Sequence, residues 1–203
     1  DLGGHPHVVT SSHGGGPVRV YDLATGTQTC TLTSLTGQVN AVVAVQLDGR
    51  PHAITGGNYG PVQVWDLTTG TQARELQLTG HTGAVSVVGV VDLDDHPHAV
   101  IGTGNLVRVW DLTTGTQTRT LTGHTELVSA IRIVELGGRP HAITSSYDRS
   151  VRVWDLTTGT CLTMFHCPAP GSSLAVTADA TVVVNVGHEV AVLDLAPQRG
   201  RLN

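Results

Sequence analysis

Thr144, His124 and Asp148 place a hydroxyl, an imidazole and a carboxylate close together in the chain. These are the three groups that nucleophilic acyl transfer sets in a row. A second set comes from a repeated phrase, His5-Pro6-His7, Arg50-Pro51-His52, His96-Pro97-His98 and Arg139-Pro140-His141. Imidazoles recurring on one face could bind a metal or respond to pH. Gly102-Thr103-Gly104 has the outline of a phosphate-cradling turn. Cys30, Cys161 and Cys167 are few, odd in number and unlike metal-ligand spacing, so they support neither a disulfide framework nor a zinc site and fit a reducing compartment.

What these groups can do depends on the elements that carry them, and those elements repeat. Tyr21-Asp22, Trp65-Asp66, Trp110-Asp111 and Trp154-Asp155 recur at spacings of 44, 45 and 44, and Leu193-Asp194 follows 39 later. A fixed period of that length indicates stacked supersecondary units. Each period holds four short segments rich in β-branched residues, separated by Gly, Pro, Asn and Asp, the pattern of a four-stranded antiparallel meander. One unit predicts strand a near Val128 to Val134, b near His141 to Ser145, c near Val151 to Trp154 and d near Cys161 to Phe165. Between c and d, the phrase Asp-Leu-Thr-Thr-Gly-Thr (Asp66 to Thr71, again from Asp111 and Asp155) predicts a tight hairpin, its Asp accepting from turn amides and Gly70, Gly115 or Gly159 taking positive φ. Gly102-Thr103-Gly104 then falls in a b-c hairpin with no following helix, so turn glycine displaces the phosphate reading.

Composition agrees with a β-rich, turn-rich chain: 39% hydrophobic, 13% charged, 28 threonines and 25 glycines in 203 residues. The net charge of -5 comes with no basic run, which excludes the electrostatic footprint of a nucleic-acid or anionic-membrane binder. All 11 basic residues are arginine, which points to a GC-rich genome. No stretch approaches the apolar length of a membrane helix, and no signal peptide is visible. Asp1-Leu2-Gly3-Gly4 enters in the middle of a repeat, so further sequence upstream is expected.

The three Trp-Asp pairs, the two Thr-Gly-His-Thr phrases (Thr79 to Thr82, Thr122 to Thr125) and their order resemble the WD40 family over nearly the whole chain. The resemblance implies an all-β propeller arc of about 4.5 four-stranded antiparallel blades, the C-terminal part of a seven-bladed ring. The expected divisions are a partial blade with strands b, c and d at 1-33, blades at 34-78, 79-121 and 122-166, and a partial blade with strands a, b and c at 167-203. Pro197 and Gly200 argue against an ordered outer strand after Leu195. The resemblance also implies a buried structural network of Trp154, Thr144, His124 and Asp148, which removes the catalytic reading of that set. Leu35 replaces the His in the first full unit and Ile101 stands at the Thr position of the second, so those blades are expected to rest on apolar packing.

In WD40 propellers the b-c and d-a loops commonly hold peptides or partner domains. Carried over position by position, the exposed candidates here are Gln38, Asn40, Asn58, Tyr59, Ser86, Glu126, Leu127, Ser129, Tyr147 and Arg149. Asn58, Tyr59, Glu126, Leu127, Tyr147 and Arg149 make the leading set, since Tyr and Arg dominate binding hot spots. The function expected is a non-catalytic cytoplasmic scaffold with a protein or peptide partner, no cofactor, no metal, no nucleic acid and no membrane. Two partial blades leave faces to be completed by upstream sequence, a second polypeptide or a second copy. The similarity between repeats resembles recently duplicated bacterial WD40 proteins, which makes a sensor or regulatory domain of a larger signalling protein (kinase, NTPase switch or protease fusion) the alternative. A channel-sited propeller enzyme is the third reading. It is disfavoured because strands a offer mainly Val, Ala, Ile and Ser, with Arg132 the only charge expected inside them.

Overall fold

A computed structural model describes the chain apart from residues 1, 3, 12–15, 33–37, 59–60, 77–83, 178–180 and 196–203. Leu35, Tyr59, the first Thr-Gly-His-Thr phrase, Pro197 and Gly200 therefore lie outside the described residues. Those described form 18 strands and no helix. In chain order these are β1 (His7–Thr10), β2 (Val18–Asp22), β3 (Gln28–Leu32), β4 (Val39–Leu47), β5 (Arg50–Gly57), β6 (Val62–Asp66), β7 (Thr71–Leu76), β8 (Val85–Leu93) and β9 (His96–Thr103). The second half comprises β10 (Leu106–Asp111), β11 (Thr116–Leu121), β12 (Val128–Leu136), β13 (Arg139–Ser146), β14 (Ser150–Asp155), β15 (Thr160–His166), β16 (Gly171–Val176), β17 (Thr181–Val186) and β18 (Glu189–Asp194).

Sequential antiparallel pairing gathers them into five meanders: β1 to β3, β4 to β7, β8 to β11, β12 to β15, and β16 to β18. The first sheet has strands b, c and d, the last has a, b and c, and three sheets between them have four strands each. The chemistry of the c-d turn fixes each hairpin. Asp155 Oδ1 accepts from the amides of Thr157 (2.8 Å) and Thr158 (3.0 Å), and Gly159 follows at φ 77°, open to glycine without strain. Asp22, Asp66 and Asp111 repeat the arrangement.

The sheets stack face to face, each burying a forward face on the rear face of the next. Val18, Val20 and Leu32 of the first sheet meet Ala53, Trp65 and Leu67 of the second. Ile54, Val62 and Val64 then meet Ala99, Ile101, Trp110 and Leu112. Val100, Val107, Val109 and Leu121 meet Ala142, Trp154 and Leu156, and Ile143, Val151 and Val153 meet Val182, Val184 and Leu174. Strands b and c inside this stack, such as β9, β10, β13 and β14, bury side chains on both faces, which explains their valine and isoleucine, whereas the outer strands β11 and β15 are largely exposed.

The inner strands run longer than their sequence suggests. β8 reaches Leu93 and β12 reaches Leu136, so Asp92 and Glu135 join Arg132 inside them. The expectation that Arg132 is the only charge there is thereby corrected: the sequence gives no break after Val91 or Val134, and the turns begin only at Asp94 and Gly137.

Candidate interaction surface and buried network

At the d-a and b-c end of the third four-stranded sheet, a chain of hydrogen bonds runs from indole to carboxylate. Trp154 Nε1–H donates to Thr144 Oγ1 (2.9 Å), and Thr144 Oγ1 lies 2.8 Å from His124 Nε2. His124 Nδ1 lies 2.8 Å from Asp148 Oδ2. The Asp148 carboxylate can only accept, so a neutral His124 carries its proton on Nδ1 and leaves Nε2 to accept the Thr144 hydroxyl proton. Asp148 also takes the Ser150 hydroxyl (2.6 Å) and amide (2.9 Å) on Oδ1, and the Thr125 amide (3.1 Å) on Oδ2.

Thr144 and His124 are 0% and 3% exposed, so the hydroxyl and the imidazole that suggested acyl transfer have no face open to a substrate. Burial lowers the His124 pKa; the Asp148 carboxylate opposes this and the Arg152 charge adds to it. Burial acts to raise the Asp148 pKa, but the bonds from Ser150, His124 and Thr125 outweigh it and bring it down to about 2. The network is a structural clamp tying the d-a loop to strands b and c.

The other sheets carry reduced versions. Trp65 Nε1–H donates to Thr55 Oγ1 at 2.9 Å. In the next sheet Ile101 occupies the hydroxyl position, and Trp110 Nε1, buried, has no acceptor among the described residues. The aspartate of that turn is replaced by Asn105, whose amide donates to the His124 carbonyl across the sheet boundary (3.1 Å).

The proline-histidine phrases are explained by the opposite end. In each, the histidine Nδ1 bonds the carbonyl two residues earlier, at 2.8 to 2.9 Å, and the proline carbonyl accepts the amide of the leucine after the Trp-Asp or Tyr-Asp pair. Each histidine also sits opposite the aspartate of that pair across strands b and c. Burial acts to raise the Asp155 pKa, but the Thr158 and Thr157 amides and the charges of His141 and Arg139 hold it below the ordinary carboxylate value. No group of three His, Cys, Asp or Glu suited to a metal occurs among the described residues. Between the inner strands at this end lies a cavity of about 590 Å³, with Val45, Val90, Ile133, Asp92 and Glu135 among its lining residues.

The loop end separates the candidate contact residues into two kinds. Glu126, Leu127, Tyr147 and Arg149 come together, because Tyr147 N–H donates to the Leu127 carbonyl (2.9 Å) and Ser146 Oγ to the Glu126 carbonyl (2.9 Å). Tyr147 is 51% exposed, and Arg149 is exposed with φ 62°, a left-handed conformation unusual for a side-chain-bearing residue. Asn58 lies two sheets away, bonded to Asn40 and Gln38. Asn40, Ser86 and Ser129 are not free contact residues. Each donates to the first inner-strand carbonyl of the next sheet, at Val85 (3.1 Å), Val128 (2.6 Å) and Gly171 (2.5 Å). That ladder repeats at the second position of three inner strands, β4, β8 and β12, a signal present in the sequence as Asn40, Ser86 and Ser129 in register.

Residues 115–155 match the family profile described as WD domain, G-beta repeat. The fold is similar to that of the computationally designed Ika8 protein, with 23% identity, TM-score 0.76, 93% of this chain and 55% of that one covered. It is equally similar to the WD40 beta propeller domain of Doa1, with 18% identity, TM-score 0.76, and 92% and 59% covered. The architecture is thus an arc of a WD40-type β-propeller, and the chain spans little more than half the length of these two propellers. No curated protein matches the chain.

Proposed function

We propose that this chain is a non-catalytic interaction scaffold whose working surface is the cluster of Glu126, Leu127, Tyr147 and Arg149 on the loop end of the propeller arc. One observation carries the reading. The sheet with the complete Trp154-Thr144-His124-Asp148 clamp is also the sheet that presents an exposed tyrosine beside an exposed arginine. A rigid base under a Tyr-Arg pair lowers the ordering cost of binding, and these residue types contribute most at interfaces. A protein or peptide with an acidic or aromatic contact segment suits that pair.

The near-identity of the repeats favours a cytoplasmic regulatory setting in a larger signalling protein of bacterial type. In the working assembly the two end faces of the arc are covered by further blades. The test is affinity capture with the immobilised chain, comparing wild type with Tyr147→Ala and Arg149→Ala. Recovery of the bound partner falls at least about tenfold with either variant, the effect of about 1.4 kcal/mol. Recovery unchanged by both substitutions removes this surface from the account.

A further inference from the structure

We propose that the cavity between the first and second sheets, at the end opposite the Tyr147 and Arg149 loops, binds an alkylguanidinium group on the carbonyls of Leu67 and Thr68. Three successive junctions of the chain differ at one position there. The c-d turns that form their far walls are copies: Leu67-Thr68-Thr69-Gly70, Leu112-Thr113-Thr114-Gly115 and Leu156-Thr157-Thr158-Gly159. In each, an aspartate Oδ1 accepts two turn amides, and the glycines stand at φ 71°, 72° and 77°. Backbones so alike aim the carbonyls of the leucine and the first threonine the same way. Facing them from the preceding sheet is the outer-strand residue paired with the second buried valine of strand c. That residue is Cys30 opposite Val20, Arg74 opposite Val64 and Arg119 opposite Val109.

The two arginines show what the carbonyls accept. Arg74 Nη1 donates to those of Leu112 and Thr113, the latter at 2.6 Å, and Arg119 Nη2 donates to that of Thr157 at 2.9 Å. At the first junction the side chain stops short. A Cβ added to Gly70 would stand 2.6 Å from Cys30 Sγ, and one added to Gly159 would stand 3.5 Å from Arg119 Cδ, so the sulfur lies where the arginine stem passes. Neither the Leu67 nor the Thr68 carbonyl takes a hydrogen bond from a described residue. Beside them is a cavity of about 450 Å³, the size of a small-ligand pocket. Leu2, Pro51 and Leu67 give it apolar wall for an alkyl stem, and among its described lining residues there is no arginine to repel a cation. A guanidinium brings the planar donors that the sister junctions use, and it sheds water more readily than an ammonium does. The same group can arrive on a free compound or on an arginine of a peptide.

Cys30 borders the site and so reports its occupancy, while Cys161, exposed on β15 of the fourth sheet, serves as a control on the same molecule. Alkylation of both thiols by iodoacetamide is followed by mass spectrometry on the folded 203-residue protein, with ethylguanidinium, ethylurea or a capped Gly-Arg-Gly peptide present. Ethylguanidinium at twice its dissociation constant is expected to slow Cys30 about threefold and to leave Cys161 unchanged. Ethylurea, similar in shape but uncharged, is expected to slow neither. Slowing by the peptide as well assigns the site to the arginine of a partner, and slowing by ethylguanidinium alone assigns it to free compounds. In titration calorimetry, Cys30→Arg supplies the guanidinium from within and is expected to lose ethylguanidinium binding, which Cys30→Ser keeps. No slowing of Cys30, equal slowing by ethylurea, or undiminished binding to Cys30→Arg would each overturn the proposal. None of these results bears on the Tyr147 and Arg149 captures, so the scaffold reading stands or falls separately.

Discussion

Trp154 and Trp110 occupy the same place in successive sheets, yet their indole protons meet different fates. Trp154 Nε1–H finds Thr144, while Trp110 Nε1 is buried beside Ile101 with no acceptor among the described residues. A buried donor left unmade costs about 1–3 kcal/mol, and removing it recovers part of that. Both rings fill comparable space, so the loss of ring volume nearly cancels between the two sites. Trp154→Phe is accordingly expected to destabilise the fold by about 1–2 kcal/mol more than Trp110→Phe, read from urea midpoints at constant m. Equal losses would mean that the Thr144 bond contributes nothing.

The same network sets an acid limit. The folded His124 pKa lies below its ordinary value of 6.5, so below that pH the unfolded chain takes up a proton that the folded chain refuses. Stability from His124 is therefore full above 6.5 and falls as the pH drops through that value. Asp148, ordinarily 3.8 and here about 2, adds a second loss as the pH falls between those two values. Arg152 near the ring and Asp148 itself are the charges that act on His124. Denaturation midpoints should drop from pH 7.5 to pH 5.5 in wild type and drop less in His124→Gln. A wild-type midpoint that rises on acidification would show that His124 is held protonated.

Among the elements, the hairpins were the most legible part of the sequence. Asp-Leu-Thr-Thr-Gly-Thr specifies its turn through a carboxylate, two amides and one glycine, all local in the chain, and so it can be read without tertiary knowledge. The Trp-Asp period of 44 or 45 gave the number and order of strands for the same reason. Three features escaped because they depend on contacts between sheets or on the extent of strand pairing within one. Asn40, Ser86 and Ser129 looked like surface polar residues, but each closes a bond to the next sheet. Arg74, which the sequence does not single out, reaches the carbonyls of Leu112 and Thr113, and Arg119 reaches that of Thr157 at 2.9 Å. Asp92 and Glu135 entered the inner strands because strand length is set by pairing with β9 and β13, whose partners run to His96 and Arg139. Of the candidate site, the four-residue clamp was readable from the family pattern, whereas the gathering of Glu126 and Leu127 under Tyr147 needed the loop bonds themselves.

At the scale of the whole molecule, stability comes from sheets that cover one another's faces, and the two end sheets are covered on one side only. That difference gives the central claim its most direct test, amide hydrogen exchange on the purified chain. Strands b and c of the third and fourth sheets, β9, β10, β13 and β14, are paired along both edges and packed on both faces. Their amides are expected to exchange at least about tenfold more slowly than those of β2 and β17, which are paired on both edges but packed on one face. Equal protection of β2, β17 and the central strands would contradict an open arc of face-packed sheets.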